Sequence, residues 1–130
     1  MKLSLLFRLV GAAVFVQVAL GGLVTFNFID AGVHIVWGIV LFVLALIAVA
    51  AVAMAKPRPR QLMGLAGAQA GLIVVQALLG FITLGSGSQV VAWFHFLVAM
   101  GIFGMALSGT FMAMRVERTG ASPSPQMSSG

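Results

Sequence analysis

The chain has 130 residues, of which 62% are hydrophobic and 7% charged, with 7 basic side chains, 2 acidic ones and no cysteine. So few polar groups cannot cover a water-soluble globule, and the composition predicts an integral membrane protein. The missing cysteines exclude structural disulfides, thiolate metal sites and thioether attachment of a cofactor. The net charge of +5 does not point to nucleic acid, because the basic residues stand where membrane topology alone would put them.

Lys2 and Arg8 accompany a first apolar run, Leu3–Phe26, long enough to cross hydrocarbon, which takes about 20 residues. A basic start before an apolar run also resembles a secretory signal. This run is longer than a typical signal core and carries half of an internal repeat, so it is expected to be retained. After a short turn, Asn27–Ile29, a second span covers Asp30–Ala55. Lys56–Arg60 is a connection with three cations. The third span is Gln61–Leu84, the next turn Gly85–Gln89 and the fourth span Val90–Met114. Arg115 and Arg118 follow, then a Ser-, Pro- and Gly-rich tail, Thr119–Gly130, that reads as a disordered cytoplasmic end.

Spans in hydrocarbon satisfy their own backbone hydrogen bonds, so these are helices. Short connections make neighbours antiparallel. The predicted fold is an all-α membrane protein, an up-down four-transmembrane-helix bundle over residues 1–118. Two turns lack any Lys or Arg, and the basic residues gather at the other end. The positive-inside rule then places both termini and the middle connection in the cytoplasm of a plasma membrane.

The halves, about residues 3–55 and 61–114, are tandem helical hairpins with a shared signature. Gln17-Val-Ala-Leu-Gly21 leads to Thr25 and His34; Gln76-Ala-Leu-Leu-Gly80 leads to Thr83 and His95. The glutamines are 59 residues apart and the histidines 61. Parallel repeats are related by an axis along the membrane normal. His34 and His95, the only histidines, become symmetry mates near the outer face. Ionisable residues in a membrane are costly, which makes them functional candidates; the plainer alternative is interhelical hydrogen bonding.

If both rings point inward, bis-imidazole ligation of a haem iron fits facing helices. A bare metal ion fits less well, since two histidines and one nearby carboxylate make a thin ligand set. Gly38 and Ala99, one turn deeper on the histidine faces, are expected to leave room for a flat ligand. Trp37, Trp93, Phe94 and Phe96 would supply aromatic walls, although Trp93 also suits the interfacial aromatic belt. Gln17 and Gln76 suit hydrogen bonds across the bundle, and Gly21, Gly22 and Gly80 suit close helix contact or ring approach. Thr25 and Thr83 would orient a ring N–H or a haem propionate, or bond back to their own helices. Asp30 is a helix N-cap or an acid/base group beside the ligand. Its repeat equivalent is Val91, so the halves differ in acid chemistry.

The segment Gln76–Thr83, followed by Val91-Ala-Trp-Phe-His95-Phe-Leu-Val-Ala-Met, resembles one half of the haem A synthase family, and Gln17–His34 is similar to the same pattern. The resemblance covers about residues 8–110. It implies one four-helix bundle of the two that bacterial members possess, as in compact prokaryotic variants. It implies haem ligation by His34 and His95, with haem B or the substrate haem O as the bound group. The implied reaction oxidises the C8 methyl of haem O to a formyl group for a terminal oxidase. Asp30 stands where the family usually has a catalytic Glu, and the outer-loop cysteine pair of one class is absent. A half-size chain has one histidine pair, which suggests a homo-oligomer, with a haem O synthase or a terminal oxidase as further partners. Two other functions fit the same residues: a b-type cytochrome subunit that only transfers electrons, and an assembly subunit without cofactor.

Overall fold

In the computed structural model, which describes residues 2–120, the chain forms α1 (Leu3–Thr25), α2 (Ala31–Met54), α3 (Arg60–Ser86) and α4 (Gln89–Gly120). All four helices are long and apolar enough to cross a membrane. Each packs on its chain neighbours and α1 also packs on α4, so the helices close a ring in which α2 faces α4, and α1 faces α3, across the diagonals.

The helix ends have local causes. Asn27 takes the left-handed conformation (φ 59°) in the α1–α2 turn, a region that asparagine tolerates better than most residues. Asp30 caps α2, its Oδ1 accepting from the Gly32 N–H at 2.7 Å. Proline cannot continue a helix, and α3 starts directly after Pro59. Arg58 Nε donates to Ala53 O at 3.0 Å, satisfying a carbonyl that the end of α2 leaves open. Gly87, left-handed at φ 63°, closes α3 by donating its N–H to Thr83 O. The Ser88 hydroxyl then accepts from the Val91 N–H at 3.4 Å in the first turn of α4.

Two sequence expectations are extended. The third helix continues to Ser86, two residues past Leu84. The fourth continues to Gly120, beyond Met114. A span predicted from hydropathy stops where charge begins, whereas a helix needs only good formers, and Arg115–Arg118 contains no breaker. Glu117 also ties the last turns to the start of α1: its Oε1 accepts from the Ser4 N–H at 2.9 Å and its Oε2 from the Ser4 hydroxyl at 2.7 Å. Thr119 and Gly120 of the expected tail are thus helical; the rest of that tail lies outside the described residues.

The packed core occupies one half of the bundle. Every fully buried residue of α1 lies at or before Val14, of α2 at or after Leu41, of α3 at or before Ile73, and of α4 at or after Ile102. Leu6, Val10, Leu41, Ala45, Ala70, Ile73, Ile102 and Ala106 form one cluster; Phe7, Val52, Leu62, Ala66 and Ala113 form another nearer the basic end. Alanines and Gly11 bring the backbones close, as small residues do between membrane helices. Among the described residues, the other half buries no side chain completely. That looser half holds both histidines.

Candidate functional site

His34 lies in the first turns of α2 and His95 in the first turns of α4. These helices are diagonal to one another, yet the ring centroids are 6.2 Å apart with the planes at 62°. Both imidazoles therefore reach toward the bundle axis.

The Gln-x-x-x-Gly signature explains how they fit. Residues four apart share one helix face. Gly21 lies against His34, where an added Cβ would meet Cε1 at 3.1 Å; Gly80 lies against His95, where the same distance is 3.1 Å. Each ring thus rests on a glycine of the preceding helix, and the repeat seen in the sequence is a repeat in contact. Ring approach, rather than bare helix contact, is the role of both glycines.

The glutamines cross the same interfaces and then differ. Gln17 Nε2 lies 3.1 Å from His34 Nε2. Gln76 Nε2 donates instead to the backbone carbonyl of His95, at 2.6 Å. Among the described residues, four buried polar atoms remain without a partner: Gln17 Oε1, His34 Nδ1, Gln76 Oε1 and His95 Nδ1. They form two repeat-related pairs in one layer. A buried unsatisfied polar atom costs about 1–3 kcal/mol, so this layer is the candidate place for water or a ligand to engage the bundle.

The remaining candidates from the sequence take simpler places. Gly38 makes room for Gln17, since a Cβ there would lie 3.1 Å from the amide nitrogen; it supports the glutamine rather than a flat ligand. Ala99 holds the matching position on α4 and is half-buried. Trp37 Nε1 donates to Ala13 O at 2.9 Å, pinning α2 to α1 below the histidine. Thr25 and Thr83 bond back to Gly21 O and Leu79 O, at 2.9 and 2.8 Å. Trp93, Phe94 and Phe96 are exposed on the outside of α4, with Trp93 edge-on to Phe96; they do not wall the site.

Asp30 is exposed at the mouth of the loose half. Its Oδ1 is committed to the cap, and its other oxygen makes no hydrogen bond among the described residues. No group of three or more His, Cys, Asp or Glu side chains gathers to hold a metal ion among the described residues. The protein donors are therefore two imidazoles, flanked by two amide oxygens. In comparisons with known proteins, the chain matches no family model, no curated protein and no solved structure.

Proposed function

We propose that the chain crosses a prokaryotic plasma membrane four times, with the basic end in the cytoplasm, and that His34 and His95 hold a haem near the outer face. We propose further that it acts as a compact relative of haem A synthase, oxidising the C8 methyl of haem O toward haem A for terminal oxidase biogenesis.

The observation that carries the haem reading is the inward-facing histidine pair, each ring retaining a buried nitrogen without a partner. The ring centroids stand 6.2 Å apart across the bundle, so both imidazoles would be at hand to hold one group bound between α2 and α4. Two protein donors are too few for a bare ion, but they suit a metal whose other positions are filled by its own macrocycle. Among the described residues, no side chain around the histidines is fully buried, which makes that half the less closely packed one.

When bound, haem supplies a redox-active iron. The chain's own residues do the rest. His34 and His95 approach from diagonal helices, Gly21 and Gly80 let the rings lie against the bundle wall, and Gln17 steadies the His34 ring through a ring nitrogen. Asp30, one turn before His34, has an unbonded carboxylate oxygen with which to hold or move a proton at the mouth of the site.

A second reading, a b-type cytochrome subunit without its own catalysis, is favoured by one observation: the N-cap bond accounts for Asp30 without chemistry. Co-expression with a haem O synthase, followed by extraction and identification of the bound haem, separates the two. Haem A in wild type but not in Asp30→Asn, with haem still bound in the variant, supports the synthase. Haem B alone supports the cytochrome. Freshly purified protein without any haem overturns both and leaves the histidines as interhelical hydrogen-bonding groups.

A further inference from the structure

The end of the bundle opposite the histidines carries Lys2, Arg8, Lys56, Arg58, Arg60, Arg115 and Arg118 against a single acidic side chain, Glu117. That carboxylate is committed to Ser4 through both oxygens. Arg58 is tied to Ala53 O, and Arg8 donates to Met114 Sδ. Among the described residues, the side chains of Arg60 and Arg115 donate to no protein group. Both line one cavity of about 330 Å³ in the crevice between the start of α3 and the end of α4. Leu62, Met112 and Val116 also line this cavity.

Two guanidiniums over an apolar floor make an amphipathic receptor. Guanidinium forks match phosphate oxygens in paired hydrogen bonds. The first turn of α3 adds backbone N–H groups that no side chain caps, because Pro59 precedes it. The α1–α4 crevice on the other side of α4 supplies a contrast. It is somewhat larger, about 390 Å³, yet it has one guanidinium, Arg8, and its walls are Phe7, Phe15, Phe103 and Leu107. Phosphate chemistry therefore belongs to the α3–α4 side.

We infer that the α3–α4 crevice binds the phosphate group of an anionic phospholipid, clamped by Arg60 and Arg115, with the lipid's apolar part lying on Met112 and Val116. This goes beyond the haem reading and needs only the membrane placement. Anionic headgroups of the cytoplasmic leaflet lie at the depth of such basic ends.

Native mass spectrometry of the full chain, released from bilayers of equal phosphatidylglycerol and phosphatidylcholine, tests it. The wild type is expected to retain one phosphatidylglycerol. The double variant R60Q/R115Q is expected to lower that retention about thirtyfold, whereas R58Q/R118Q, which removes the same charge outside the cavity, lowers it no more than about threefold. Val116→Trp, which fills the floor and leaves both arginines, is expected to expel the lipid as well. R60K/R115K, which keeps the charge without the fork, is expected to fall between wild type and R60Q/R115Q. Equal losses in the two glutamine variants would overturn the site in favour of a diffuse basic field. Equal retention of phosphatidylcholine, or full retention by Val116→Trp, overturns it too. Displacement of the lipid by inorganic phosphate at equal concentration overturns the lipid as the source of the phosphate.

Discussion

Gln17, His34, Gln76 and His95 each bury a polar atom without a partner among the described residues, and the glycines beside the rings set how closely the imidazoles approach the helix wall. A Cβ at Gly21 or Gly80 would already sit 3.1 Å from a ring carbon, so a branched side chain must drive the ring off its place. If the proposed haem site is right, Gly21→Val and Gly80→Val lose bound haem while keeping helical content, read as the haem-to-protein absorbance ratio beside far-ultraviolet circular dichroism. Gln17→Leu should weaken haem retention by about tenfold, the lower end of what a lost partner to a ligating histidine costs. Haem retention unchanged in all three would sink the site. Asp30 can be dissected at the same scale. Asn caps a helix as well as Asp does, while Ala costs about 1 kcal/mol. Asp30→Ala should lower the unfolding midpoint in detergent, and Asp30→Asn should leave it in place, whatever either does to activity.

Between helices, the decisive contacts are small residues against large ones. Phe7 of α1 is fully buried, and a Cβ added to Gly109 of α4 would run into its ring. Hydrocarbon tails are as apolar as leucine, so shape and dispersion rather than water exclusion hold these helices together. Gly109→Leu is thus an overpacking change worth about 1–3 kcal/mol, expected as a matching loss in a denaturant titration of the detergent-solubilised protein. Trp37 is the corresponding pin between α1 and α2. Trp37→Phe keeps the bulk and removes the hydrogen bond to Ala13 O, for an expected loss of about 1 kcal/mol. Both changes lie in or beside the packed half. They are expected to destabilise the bundle without altering the histidine contacts.

For the molecule as a whole, the division into a packed basic half and a loose histidine half is the governing asymmetry. Ring closure of α1 on α4 is fastened by Ser4 and Glu117 at the basic end, whereas no described side chain in the other half is fully buried. The proposed topology is open to a direct check, because the chain contains no cysteine and single-cysteine variants report cleanly. Asn27→Cys and Ser88→Cys should react with an impermeant thiol reagent added outside intact cells, and Lys56→Cys only after lysis. The opposite pattern would place the histidines at the cytoplasmic face.

Four helices, their order, their antiparallel course and the twofold repeat were all legible in the residues. Apolar runs, short turns and the placement of Lys and Arg are local properties. The Gln17–Gly21 and Gln76–Gly80 spacings likewise put each pair on one face by helix geometry alone. What the residues left open is which way each face turns. In water the apolar side of a helix marks the interior; in a chain this apolar throughout, the inside and outside of the bundle read alike. That is why Phe94 and Phe96 read as site walls in the sequence although they lie exposed, and why Gly38 reads as ligand room although it seats Gln17; Trp93, exposed as well, keeps the position that suits an interfacial aromatic. The tertiary structure alone decided that the glycines receive imidazole rings, that the two halves use their glutamines differently, and that the core stops short of the histidine layer. Each depends on the packing of helices remote in sequence, which no local pattern encodes.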